Sequence, residues 1–265
     1  MHPYRYHRPG SLAEAEEVLA GDGDPRPLAG GMSLIPVMKH RLAAPSDLVD
    51  LAAIGGLTGI TVEPATLGIR AMTRHAAVAA SPSVRERIPA LAALAGGIGD
   101  PLVRNRGTIG GSLANNDPAA CYPSAVLALD AEIVTAGRRI PADNFFLGLF
   151  ETALEPGELI VEVRFPVPAA ASYRKFPNPA SRFSVVGVFV ARLADGAVRV
   201  AVTGAGPCVF RVKAFERALA ASFAPGALAD LSVAADGLTS DIHGSAAYRA
   251  HLIGVLAEDA VADCA

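Results

Sequence analysis

Two short stretches carry adjacent glycines next to hydroxyl-bearing residues: Ala29-Gly30-Gly31-Met32-Ser33 and Thr108-Ile109-Gly110-Gly111-Ser112. A backbone that bare can turn successive N–H groups toward one point, which suits a phosphate or pyrophosphate. Ser33, Thr108 and Ser112 add hydroxyl donors. Such a nest needs no positive charge. Neither stretch has the G-x-G-x-x-G or G-x-x-x-x-G-K-[ST] spacing, so Rossmann and P-loop readings fail. Taken singly, each stretch also reads as a tight turn.

Other chemistries find less support. Cys121, Cys208 and Cys264 are far apart and form no C-x-x-C pair, so disulfide frameworks, zinc sites and iron–sulfur clusters lack their ligand pattern. His2, His7, His40, His75, His243 and His251 show no H-x-x-x-H or H-E-x-x-H spacing. No G-x-S-x-G elbow marks a hydrolase nucleophile.

The elements that must position the two loops follow from periodicity. Ser11 and Glu14 have capping-box spacing ahead of a helix over 12–20. "PRPL" reads as a strand running into the first glycine loop, and "SLIPVMKHRL" as a short helix leaving it. "DLVD" is a short strand, and the segment from Leu57 a β-meander leading into a helix. "SVRERIPALAALAGGIG" reads as one helix capped by Ser83, and "RNRGTIGGSLANNDPAAC" as a second glycine-rich loop. "YPSAVLALDAEIVTAG" is a helix and then a strand. Strand, loop, short helix and the alternating strand "ELIVEVRFP" follow. After Pro166 and Pro168, "SVVGVFVARL" and "AVRVAVTGAG" form a hairpin around "ADG", and two helices close the chain. An α+β module to about residue 172 and a second α+β module, a sheet backed by helices, are predicted.

Composition bounds the setting. The chain has 265 residues, 51% of them hydrophobic, enough for a sizeable core. No apolar run of ~18 residues predicts a membrane span. A net charge of −3 argues against a general nucleic-acid grip. The opening "MHPYRYHRPGSL" has no apolar h-region, and the cysteine usage suits a reducing compartment, so a cytoplasmic location is expected.

In context the loops stop being anonymous. "LAGGMSLIPVMKHRLAAPSDLVDL" followed by "IGDPLVRNRGTIGGSLANNDPAACYPSAVLALDAEI" resembles the FAD-binding medium subunit of the molybdenum hydroxylases. That family includes aerobic carbon monoxide dehydrogenase and the FAD portion of xanthine dehydrogenase. "YRYHRPGSLAEAEEVL", "DNFFLGLFETALEPGELIVEVRFP" and "SDIHGSAAYRAHLIGVL" extend the likeness over nearly the whole chain. The resemblance implies an α+β, two-subdomain FAD-binding fold of the vanillyl-alcohol-oxidase (PCMH) type, with subdomains of about 1–55 and 56–172. A small C-terminal α+β domain over 173–265 completes it.

Carried over residue by residue, the resemblance places the FAD pyrophosphate on Ala29, Gly30, Gly31, Met32, Ser33 and Leu34. Thr108, Ile109, Gly110, Gly111 and Ser112 line the cofactor from the other side. Ile98 and Ile160 match apolar positions beside the flavin, Lys175 a flavin-contacting lysine, and Phe183 an aromatic near the ring. Read alone, Ile98, Ile160 and Phe183 fit core packing, and Lys175 fits a solvated surface charge. Two departures stand out: many members have glutamine or histidine at Met32, and the family's "DPAAD" reads "DPAAC" here. Cys121 thus replaces a carboxylate that contacts FAD, with Asn116 and Asp117 near enough in sequence to compensate.

The implied function is electron transfer. A molybdopterin large subunit oxidises substrate, [2Fe-2S] clusters of a small subunit relay electrons, and the FAD subunit delivers them to NAD+, quinone or oxygen. The assembly is a heterotrimer or its dimer, and this chain carries only FAD, with no acid–base catalyst and no metal. A stand-alone flavoenzyme on a small organic substrate and a non-flavin scaffold remain the alternatives.

Overall fold

The computed structural model of the chain describes residues 1–264. Three sheets carry the architecture, with a two-stranded hairpin beside them. The first sheet is three short parallel strands in the order Arg5–His7, Asp47–Asp50, Pro25–Leu28. Its central strand is buried, as parallel strands covered on both faces must be. The helix Leu12–Leu19 packs Ala15 and Leu19 against Val49 and Leu51. Ser11 Oγ accepts from the Glu14 amide at 3.3 Å, and Glu14 Oε2 takes the amide of Gly10 rather than that of Ser11.

The strand Arg5–His7 carries no apolar alternation and is not legible from sequence. Charge holds it. Arg5 gives two hydrogen bonds to the buried Asp47 carboxylate, at 2.8 and 2.9 Å, and His7 Nε2 lies 2.6 Å from the same group. The Arg5 guanidinium holds the Asp47 carboxyl well below the usual carboxylate range.

The second sheet is antiparallel, in the order Ile60–Val62, Thr66–Arg70, Ile160–Pro166, Glu132–Thr135, Arg139–Pro141. Along the chain, between strands Thr66–Arg70 and Glu132–Thr135, a layer of helices is inserted, which buries Val84, Leu91, Leu94 and Tyr122 against the sheet. The single helix expected over 83–96 is two helices, Pro82–Arg87 and Pro89–Gly96. Pro89 expels Ile88 from the helical region (φ −140°, ψ 69°), as a proline does to the residue before it. The cap is Ser81, which accepts from the Val84 amide, and not Ser83. The short helix expected before "ELIVEV" is instead the hairpin Phe146–Gly148 with Glu151–Thr152.

The third sheet is an antiparallel meander: Ala170–Pro177, Ser184–Arg192, Val198–Thr203, Phe210–Arg211. Strand Ser184–Arg192 alternates between two cores. Val186, Val188 and Val190 face the helices Lys213–Ala221 and Ala246–Asp263, through Phe215, Leu252 and Ile253. Phe189 and Ala191 belong to the core of the second sheet. One strand therefore walls off both bodies, and the segment around Ser184 sits at their junction.

Candidate cofactor site

Strand Pro25–Leu28 runs directly into the first glycine loop, and the helix Leu34–Lys39 leaves it. Gly31 turns the chain at φ +72°, a conformation open to glycine and strained for side chains. Ser33 precedes the helix without capping it. The amides of Gly30, Gly31, Met32, Ser33 and Leu34 consequently make no hydrogen bond to the protein, and Ile35 is the first to find a carbonyl, that of Gly31 at 3.1 Å. Met32 and Ser33 are exposed, so the run of donors is open to a ligand.

Gly30 lies against the second loop. A Cβ there would strike the carbonyl oxygen of Arg106 and stand 2.8 Å from the Cα of Gly107. A Cβ on Gly111 would come 3.3 Å from the Cβ of Ala29. The glycines thus let the two loops lie on each other, a role separate from holding a ligand.

The second loop corrects the sequence reading. Residues Ile109–Asn115 are helical, and Thr108 is the N-cap, its hydroxyl accepting from the Gly111 amide at 3.2 Å. The amides of Ile109, Gly110 and Ser112 donate to the carbonyls of Thr73, Ala71 and Thr108. The amides of Ile109, Gly110, Gly111 and Ser112 are therefore committed inside the protein. Gly110 is glycine because its backbone rests on Ala71, whose Cβ would be 2.6 Å from an added methyl. Ile109 is fully buried.

Lys175, Cys121, Ser184 and Tyr173 form a polar cluster where the second and third sheets meet. Lys175 Nζ donates to the carbonyls of Gly97 at 2.7 Å and Arg182 at 3.0 Å, and stands 3.6 Å from Cys121 Sγ. Ser184 Oγ is 3.5 Å from that thiol and 3.3 Å from the Tyr173 hydroxyl. Burial first, then the neighbouring Cys121, pushes the Tyr173 hydroxyl well above its ordinary pKa, so it stays protonated. Gly97 brings Ile98 to the same place, where Arg104 donates to its carbonyl at 3.1 Å. Phe183 projects beside the cluster, half exposed.

Three candidates lie elsewhere in character. Asn116, in the left-handed region at φ +41°, donates Nδ2 to the carbonyls of Gly148 and Glu151, each at 2.8 Å. It anchors the hairpin tip and does not stand in for a carboxylate at Cys121. Asp117 Oδ1 takes the Ala119 amide at 2.8 Å. Ile160 is buried in the core of the second sheet, next to an irregularity in the pairing with Thr135.

His75 escapes motif reasoning because it belongs to no metal spacing. It supports the second loop from below: its amide donates to the Gly107 carbonyl at 3.0 Å, and only a glycine fits over its ring. Its ring centroid is 5.3 Å from that of Tyr122. Burial, then the nearby Arg104, lowers its pKa to about 4, so it is neutral near pH 7.

These residues fit a flavin dinucleotide. Consecutive free amides suit a pyrophosphate without opposing charge, and an ammonium, a half-exposed phenylalanine and apolar side chains suit a polar-edged aromatic ring.

Comparison with known proteins agrees. The family described as the FAD binding domain in molybdopterin dehydrogenase matches residues 2–168. The carbon monoxide dehydrogenase medium chain of Hydrogenophaga pseudoflava is 37% identical over 274 residues, covering 97% of this chain and 96% of its own. The nicotine 6-hydroxylase medium subunit of Paenarthrobacter nicotinovorans is 36% identical, covering 94% and 93%. A solved structure of reconstituted CO dehydrogenase from Oligotropha carboxidovorans superimposes with a TM-score of 0.90 at 33% identity, covering 99% of this chain and 97% of that one. With this fold and a bare amide cradle at Gly30–Leu34, the chain belongs to the family of FAD-binding medium subunits of the molybdenum hydroxylases.

Proposed function

We propose that this chain is the flavin relay of a molybdenum hydroxylase complex. It takes electrons from the [2Fe-2S] clusters of a small partner subunit, fed by a molybdopterin-bearing large subunit, and passes them to NAD+, a quinone or oxygen. When bound, FAD supplies the redox chemistry, accepting and releasing electrons singly or in pairs. The chain's residues bind, orient and shield.

The observation that carries this reading is the run of unpartnered amides from Gly30 to Leu34. They donate to the pyrophosphate, with the free hydroxyls of Ser33 and Ser112 beside them. Ala29 and Gly111 keep the two loops in contact around it, and Thr108, Ile109 and Gly110 hold the second loop's backbone in place. Lys175, fixed by two carbonyls, presents a localised positive charge to the ring's polar edge. Ile98 and Phe183 shield the ring from water, and Ile160 supports it from the core. Cys121 and Asp117 border it.

No helix among the described residues is long and apolar enough to cross a membrane, and all three cysteines are free. We place the complex in the cytoplasm on the cysteines' reduced state.

The test is an absorbance spectrum of the purified chain before and after FAD addition, with mass detection of what denaturation releases. Flavin bands and released FAD are expected. A chain that stays colourless at high FAD overturns the reading.

A further inference from the structure

A cavity of about 500 Å3 opens between the turn at Asp117–Ala119, the hairpin tip at Leu149–Phe150 and the third sheet. Its walls are apolar: Pro118, Leu149, Phe150, Phe183, Val185 and Pro207. Leu149 and Phe150 are each 58% exposed and Phe183 53%, a concentration of apolar surface that marks a binding site. Phe150 is held there at a cost. Its φ of +55° is strained for an aromatic residue, and the Asn116 side chain fixes the hairpin on either side of it.

The polar floor excludes anions. Arg249 is 3% exposed; it donates to the carbonyls of Val185 and Gly204 and pairs its charge with Asp241, and its one unpartnered donor, Nε, is buried. Asp117 adds a second carboxylate at the rim. A dinucleotide's diphosphate would meet the Asp117 carboxylate with no unpaired Lys or Arg among the lining residues.

His243 offers an N–H whose position the neighbouring Asn178 fixes. Asn178 Oδ1 accepts from the amides of Ala180 and Ser181, at 2.9 and 3.0 Å, which fixes the amide's orientation. Its Nδ2 therefore donates to His243 Nδ1 at 3.0 Å, which leaves Nε2 as the ring's N–H. That N–H has no partner within the protein and suits a ring carbonyl. The cavity also touches the cofactor cluster: Ser184 lines it and lies 3.5 Å from Cys121 Sγ.

We propose that this cavity binds an uncharged planar quinone as the chain's electron acceptor, packed against Phe150 and Phe183, with one carbonyl accepting from His243 Nε2. The assignment rests on the flavin reading above. Reduction to the hydroquinone takes two electrons from the reduced flavin and one proton on each carbonyl oxygen. Both protons would come from water at the open mouth, to which the flavin would return the protons it loses on oxidation, His243 contributing only its hydrogen bond.

The test uses the full chain with FAD added, its flavin content read by absorbance. Menadione is titrated while saturation transfer to its methyl group is followed by NMR, a readout that needs no flavin. Saturable binding is expected. Phe150→Gly, which suits the local φ, and His243→Phe are each expected to weaken it about tenfold with flavin content unchanged. Absence of saturable binding, wild-type binding in both variants, or displacement of menadione by NAD+ overturns the proposal. Loss of FAD from Phe150→Gly overturns it too, because the cavity would then belong to the flavin. A chain that binds menadione at Phe150 but holds no FAD keeps the site and removes the relay function. A chain that holds FAD and ignores menadione does the reverse.

Discussion

The ammonium of Lys175 stands 3.6 Å from the thiol of Cys121, and its donors go only to that sulfur and the carbonyls of Gly97 and Arg182. Among the described residues no carboxylate pairs with it. This junction of the second and third sheets therefore holds an uncompensated positive charge, fixed in place by backbone.

Cys121→Asp puts a carboxylate within reach of that charge and restores an acceptor for a cofactor donor. One such hydrogen bond is worth roughly 1 kcal/mol, about fivefold in affinity. FAD retention during gel filtration, and the FAD dissociation constant, are expected to improve by that factor. Unchanged affinity would remove Cys121 from the cofactor's surroundings.

Gly30→Ala and Gly31→Val separate the two duties of the first loop. An alanine at position 30 collides with the Arg106 backbone, which cannot yield like a flexible side chain. Overpacking of this kind costs about 1–3 kcal/mol, so a clear fall in melting temperature is expected, with FAD lost as well. At Gly31 the strain is local, from φ +72° and Ile35 Cγ1 at 3.1 Å from an added Cβ. Gly31→Val is expected to redirect the amides and lose FAD with a smaller loss of stability. A Gly31→Val protein with full flavin content contradicts the amide cradle.

His75 makes stability depend on acid. Its pKa is lowered to about 4 by burial and by Arg104, against an ordinary value of 6.5, so the unfolded chain binds the proton first as pH falls. Its contribution is complete above pH 6.5, declines between 6.5 and 4, and is gone below 4. The full difference is up to about 3 kcal/mol. Urea midpoints measured at several pH values are expected to show a shallower decline over this window in His75→Phe than in the wild type. Parallel curves would mean that the ring is not held neutral.

Asp47 anchors the first strand. Its carboxyl is held low by Arg5, so this contribution is present above the ordinary carboxylate range and is lost as pH falls through the lowered value. In Asp47→Asn the amides of Arg5–His7 are expected to exchange faster in hydrogen-exchange measurements, with the second sheet unaffected. Unchanged exchange at those residues would mean that backbone pairing alone holds the strand.

Sequence alone determined the two glycine pairs, the strand and helix around the first of them, and the family the chain belongs to. Those features are local: a glycine pair, a cap, an apolar period of two or nearly four. The strand "PRPL" and the helix from Leu34 were legible because turn chemistry and periodicity agree there. The tertiary structure decided which glycine amides are free. Gly30–Leu34 and Ile109–Ser112 look alike as text, yet Ala71 and Thr73 take up amides of the second group, while no protein acceptor takes up those of the first. That difference depends on a carbonyl nearly forty residues away, so no spacing rule reports it. The same holds for Lys175 beside Cys121, for Asn116 drawn off to the hairpin, and for His75 beneath Gly107. Each is a contact between segments far apart in the chain, brought together because strand Ser184–Arg192 buries one face in each of two cores.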